Sequence, residues 1–247
     1  MKFNFGVQSF CFHKTKEHAE LVNQVKKIGL NAIELCHLHT DYDNPAFPSE
    51  FADIVDVYQK AGVEIISLGV RTIKADSSDR LLFECARMAG CGYISVNFSL
   101  ENLDAELKSA ESLAEEFDMK LGIHNHGGRH WLGTATALEW VFAKSTPRIG
   151  LCLDTAWAMD AMQDPVEMID KFADRLYNVH FKDFTWNRDR SFNDEIVGDG
   201  CLDLKLLLKT MKKIDFNGIA ILEHFSKAEN PIPALSACVE NIKTSAV

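Results

Sequence analysis

Short apolar runs rich in β-branched and aromatic residues alternate along this chain with longer stretches whose apolar residues recur at i, i+3 and i+4. The first pattern predicts buried strands and the second amphipathic helices, because side chains repeat every 2 residues on a strand and about every 3.6 on a helix. Eight runs have strand character: FNFGVQSF near 3–10, NAIELC at 31–36, VEIISLGV at 63–70, GYISVNFS at 92–99, KLGIHNH at 120–126, RIGLCLD at 148–154, LYNVHFKD at 176–183 and GIAILEH at 218–224. Among the helical stretches, HAELVNQVKKIG, FADIVDVYQKAG and DRLLFECARMAG each close on a glycine, the residue suited to a left-handed cap. Strand starts recur roughly every 27 to 32 residues, with about 42 before the last. This alternation predicts an α/β fold, a (β/α)8 TIM barrel formed as a single domain over residues 1–247.

Composition narrows the partners. A chain of 247 residues with 47% hydrophobic content can bury one large core. Its formal net charge of −10 opposes nucleic acid, whose binding would need a concentrated basic patch. No run of about 18 apolar residues occurs, so no membrane span is expected. The opening MKFNFGVQSFCF is broken by Asn4, Gln8 and Ser9 and lacks a secretory cleavage pattern, and the seven cysteines include no CxxC pair. These features predict a cytoplasmic protein with reduced, mostly buried thiols; a homo-oligomer stays open. The extra length before the last strand, FTWNRDRSFNDEIVGDG at 184–200, exceeds a minimal βα loop and reads as a lid or as a solvated excursion.

In such a barrel the active site lies at the C-terminal ends of the strands. Four residues stand there after mostly apolar runs: His124, Asp154, His180 and Glu223. Each has an ordinary structural alternative, an interior hydrogen-bonded histidine, a helix cap or an ion pair. Together, two imidazoles and two carboxylates in a dry position call for a cation. The donor set suits one divalent metal ion, Mn²⁺, Co²⁺, Zn²⁺ or Fe²⁺, with Mg²⁺ also compatible, better than Ca²⁺.

The pieces LCLDTAWAM, DPVEMIDKFADRLYNVHFKD and VGDGCLDLKLLLKTMKKIDFNGIAILE carry a wider likeness. The chain resembles the xylose-isomerase-like barrel family of sugar phosphate isomerases/epimerases, ketose 3-epimerases and inosose dehydratases. The resemblance implies that Asp154, His180 and Glu223 hold one divalent metal. It also brings out three departures. His124 stands where ketose epimerases place a glutamate, Trp157 where a histidine is common, and Trp186 where some epimerases have an arginine, with Arg188 and Arg190 close by.

The function expected on these grounds is a metal-dependent isomerase or epimerase of a ketose, keto-sugar or sugar phosphate, working through an enediolate. A lyase or dehydratase of a keto-sugar or keto-inositol is the alternative. An abasic-site endonuclease-like hydrolase and a non-catalytic sugar-binding barrel are less favoured. His124 is assigned as metal ligand, His126 as acid/base, because its ordinary pKa of about 6.5 lies near working pH, or as a substrate contact, and Glu223 as proton acceptor. Lys182 is assigned to a developing oxyanion, or else to an ion pair with a carboxylate such as Glu34. Glu34, Trp157, Trp186 and Arg188 are the expected substrate contacts. No GxxxxGK[ST] phosphate cradle occurs, and GDG at 198–200 is too short to stand for one.

Overall fold

The computed structural model describes residues 4–226 and 229–246. The eight predicted runs form strands β1 (Asn4–Gln8), β2 (Ala32–Leu35), β3 (Glu64–Thr72), β4 (Tyr93–Asn97), β5 (Lys120–His124), β6 (Ile149–Asp154), β7 (Leu176–Phe181) and β10 (Ile219–Leu222). They pair in parallel and close in the circular order β1, β10, β7, β6, β5, β4, β3, β2. Helices α1 (His18–Lys27), α2 (Phe47–Ala61), α3 (Ser77–Ala89), α4 (Leu103–Glu116), α5 (Ala135–Lys144), α6 (Thr155–Asp160), α7 (Pro165–Lys171), α8 (Leu204–Lys213) and α9 (Ile232–Ser245) occupy the connections. The glycines predicted to end three helical stretches, Gly29, Gly62 and Gly90, take φ of +75°, +68° and +79°. Six of the seven cysteines are buried and all are free thiols.

Two predicted strands are longer in sequence than in space. β5 stops at His124, which leaves Asn125 and His126 in the following loop, and the run at 176–183 breaks at Lys182. Beyond Lys182 the chain forms an antiparallel hairpin of β8 (Asp183–Trp186) and β9 (Phe192–Glu195). The 184–200 segment is therefore largely folded rather than a solvated excursion. Phe184 stacks on Phe192 with centroids 4.2 Å apart, and Trp157 meets both rings edge-on at 5.1 and 5.3 Å. The GDG glycines serve the fold: Gly198 and Gly200 donate their backbone N–H groups to the buried Asp183 carboxylate at 3.0 Å.

Most apolar burial lies between the outer faces of the strands and the helices. A smaller group, Ala32, Ile66, Ile219 and Ile221 with Tyr93 against it, is separate from that core. Register then places the site: Ile221 lies opposite His180, His180 opposite Asp154, and Cys152 opposite His124. A strand's side chains alternate, so the interior passes from apolar to ionisable toward the C-terminal ends. Among the described residues, no helix is long and apolar enough to cross a membrane.

Candidate metal centre and active site

His124 ends β5, Asp154 ends β6, His180 lies within β7, and Glu223 follows β10 while its N–H still donates to Phe181 O at 3.0 Å. One ligand atom from each of the four lies within 4.8 Å of the others, and all four residues are buried. His124 Nε2 is 3.5 Å from Asp154 Oδ2 and 3.8 Å from Glu223 Oε2, and His180 Nδ1 is 2.8 Å from Glu223 Oε2. Both ring nitrogens of His124 and Oδ2 of Asp154 have no hydrogen-bond partner among the described residues, so three unpartnered buried polar atoms gather at this spot. An unsatisfied buried polar group costs about 1–3 kcal/mol, so this concentration at one spot fits a cation-binding centre better than a structural cluster.

The charge balance agrees. Burial disfavours a charged His124 ring, yet the Asp154 and Glu223 carboxylates prevail and push its pKa up to about 9. Burial likewise opposes charging His180, but Cys152, Glu34 and Glu223 hold its pKa well above the usual imidazole value. Burial should raise the Glu223 pKa, but Lys182 and the two imidazoles hold it well below the ordinary carboxylate range. The protein thus assembles anionic ligands that attract positive charge. A divalent ion bound by N and O donors meets that demand without a proton.

The structural alternatives raised from sequence coexist with the site. Asp154 does cap α6, but only through Oδ1, which accepts from Trp157 N at 2.8 Å and leaves Oδ2 for the cluster. Glu223 does pair with a cation: Lys182 Nζ donates to Oε1 at 3.2 Å. The residue beneath is Glu34, fully buried, which accepts from Gln8 Nε2 at 2.5 Å and Ser95 Oγ at 2.7 Å. Its Oε1 lies 3.2 Å from His180 Nε2, a carboxylate behind a ligand imidazole. Glu34 thus sits behind His180, engaged by Gln8 and Ser95, and is not among the residues bordering the cavity, where a substrate contact was expected.

Lys182 does not pair with Glu34. Its ammonium, 1% exposed, lies between Glu223 and Asp194 of β9 (3.7 Å) and 3.4 Å from the centroid of the Phe225 ring. It pairs with Glu223 at 3.2 Å, so its carboxylate partner is Glu223 rather than the expected Glu34. His126 also departs from expectation. Its ring stays beside His124, with centroids 4.9 Å apart, but burial, His124 and His130 push its pKa down to about 3. This opposes the near-neutral titration that an acid/base role for His126 would use.

A cavity of about 340 Å³ opens above the cluster, bordered by His124, His126, Asn97, Trp157, Phe10 and Phe225 among others, and Glu223 reaches into it. Trp157 therefore lies where a substrate contact was expected. Trp186 lines a neighbouring outer cleft instead, and Arg188 is exposed at the hairpin turn, outside both spaces. The loop carrying the histidines depends on its two glycines. A Cβ on Gly127 would come within 2.7 Å of the Trp157 ring and clash with Asp160, and Gly128 has φ +60°.

Sequence reasoning missed Asn125, which is fully buried. Its Oδ1 accepts from Asp154 N at 2.8 Å and its Nδ2 donates to Asp154 O at 3.1 Å. The side chain thereby continues the ladder between β5 and β6 and fixes the backbone of a metal-type ligand. A buried amide between two histidines was its available signal. Asp194, which also accepts from Phe225 N and Ser226 N, had none, because these partners lie in the segment after β10, some thirty residues along the chain.

The closed parallel barrel brings two carboxylates and two imidazoles together at the C-terminal mouth of its strands, a donor set able to hold a metal ion. The chain belongs to the xylose isomerase-like TIM barrel family, whose model matches residues 22–243. It is 25% identical over 221 residues to 3-oxo-isoapionate decarboxylase of Pectobacterium atrosepticum, covering 84% of this chain and 77% of that protein. Inosose dehydratase of Geobacillus kaustophilus is 29% identical over 138 residues, 50% of this chain and 44% of that enzyme, so this match spans less than half of the relative. Among solved structures, D-allulose 3-epimerase from Methylomonas sp. superposes with a TM-score of 0.78 at 16% identity, covering 99% of this chain and 98% of the other. The 3-keto-D-glucoside 4-epimerase of E. coli gives 0.74 at 15%, covering 98% and 100%. These two show the fold alone.

Proposed function

We propose that the protein is a divalent-metal-dependent enzyme of keto-sugars or keto-cyclitols that removes a proton from the carbon beside the carbonyl and eliminates a β-substituent. A cation held by His124, Asp154, His180 and Glu223 would supply Lewis acidity toward the carbonyl and a neighbouring hydroxyl. The proposed base is Glu223. Lys182 and His180 keep it ionised, and it is the one carboxylate lining the cavity among the described residues.

In the proposed step the C–H pair forms the new C=C bond, the proton moves to Glu223, and the β C–O bond breaks. Return of that proton to the departing hydroxide releases water. His126 orients the substrate by hydrogen bonding, and Trp157 and Phe225 border the cavity against solvent.

The observation that carries the lyase reading is that His124 and His126 stand side by side at the end of β5, leaving Glu223 as the one carboxylate bordering the cavity among the described residues. Epimerisation moves a proton between opposite faces and needs a second group able to exchange it. The dehydratase and decarboxylase relatives support the same preference. Isomerisation remains the second reading, because one base such as Glu223 can carry a proton between neighbouring carbons on one face.

The test is reaction of 2-keto-myo-inositol and 3-keto-glucosides in D₂O with Mn²⁺- or Co²⁺-loaded protein. Loss of water with no epimer supports elimination. Accumulation of an epimer labelled at the inverted carbon overturns it. Glu223→Gln should slow turnover by about 10²- to 10⁴-fold, with metal content measured alongside.

A further inference from the structure

The eight arginines divide sharply. Arg71, Arg80 and Arg148 are paired with carboxylates, Arg175 donates to backbone carbonyls, and Arg87 lies over the Phe117 ring. The guanidinium groups of Arg129, Arg188 and Arg190 have no hydrogen bond, ion pair or ring contact among the described residues. All three come from the loop after β5 and the β8–β9 turn, at the mouth of the barrel, in a chain whose formal charge is −10. A single exposed arginine needs no explanation. Two of these three, Arg129 and Arg190, line one cleft of about 550 Å³.

That cleft borders the reacting centre. His126 and Trp157 line the central cavity, while Gly128, Arg129, Met159 and Asp160, from the same two segments, line the outer cleft. Its aromatic wall is Trp186, whose Nε1 donates to Asp160 Oδ1 at 3.4 Å. On its lip Met162 is 79% exposed with φ +59°, at a helix end where glycine or asparagine is the usual residue. Exposed apolar surface, an aromatic face and two uncommitted guanidinium forks together suit a ligand with a flat or cyclic body and an anionic end.

We propose that the outer cleft is a substrate subsite for an anionic group, a phosphate or a carboxylate, carried on the end of the substrate remote from the reacting carbon. Arg129 and Arg190 bind the anion, and the part of the substrate before it lies along Trp186. This rests on the reading of the central cavity as the reacting centre. Recognition by side-chain forks explains how such a group is held without a glycine-rich backbone cradle.

The test titrates inorganic phosphate and, separately, malonate against metal-stripped protein, comparing wild type with Arg129→Ala, Arg190→Ala, the double variant and Arg80→Ala. The expected result is saturable, salt-sensitive binding, weakened roughly tenfold by each cleft variant, lost in the double and unchanged in Arg80→Ala. Phosphate binding alone assigns a phosphorylated substrate, and malonate binding alone a sugar acid. Binding of neither anion, or binding that survives in the double variant, overturns the subsite. Because the metal is absent, the result is independent of the metal centre. Anion binding with no metal uptake in a separate titration would defeat the proposed function alone; metal uptake without anion binding would defeat the subsite alone.

Discussion

His124 Nε2 and Asp154 Oδ2 face each other across 3.5 Å at the ends of β5 and β6, and neither has a hydrogen-bond partner among the described residues. A buried imidazole and a buried carboxylate oxygen left in this way are poised toward a common third atom, with His180 and Glu223 closing the other side. About one divalent ion per chain should therefore bind, and Mn²⁺, Co²⁺ or Zn²⁺ at 100 times its dissociation constant should add about 2.7 kcal/mol of stability. His124→Ala or Asp154→Ala should abolish the rise in melting temperature. No metal-dependent rise in the wild type would remove the metal assignment.

Asn125 should matter as much for Asp154 as a ligand does. Asn125→Ala removes two hydrogen bonds and strands the buried N–H and C=O of Asp154, an expected loss of about 1–3 kcal/mol. Because the clamp positions a ligand, metal affinity should also fall by about 10- to 100-fold. Reduced stability with unchanged metal affinity would limit Asn125 to a packing role.

His126 should separate from His124. His126→Gln should keep the metal and lower turnover. The wild-type and variant pH–rate profiles should have the same shape between pH 5.5 and 8, because an imidazole whose pKa lies at about 3 is neutral throughout. Loss of metal in His126→Ala but not in His124→Ala would exchange their roles.

His18, the first residue of α1, sets an acid limit on stability. Burial, and then the neighbouring His39, lower its pKa from 6.5 to about 4, while its ring contacts Tyr58 OH at 3.1 Å. Between those values the unfolded chain binds a proton that the folded chain refuses, so stability is full above about pH 6.5 and falls as pH drops toward 4. His18→Gln, which can keep the Tyr58 contact without titrating, should flatten the fall in melting temperature between pH 7 and 5. An identical slope in both proteins would place the acid sensitivity elsewhere.

The eight strands, their closure and the four residues of the centre were legible in the chain. Hydrophobic alternation is local, and a barrel places its strand ends at one mouth whatever the loops do. The length of 184–200 marked an added element, although its hairpin form was not legible. Partnership and solvation were not legible either. Glu34 as a support beneath His180, Asn125 as a clamp, Lys182 between Glu223 and Asp194, and the convergence of Arg129 with Arg190 all join residues far apart in sequence. His126 shows the reason most directly. Its spacing from His124 was read correctly as placing the two side by side, but its protonation depends on how much water the closed barrel removes and on the positive charge beside it, and both exist only once the chain has folded.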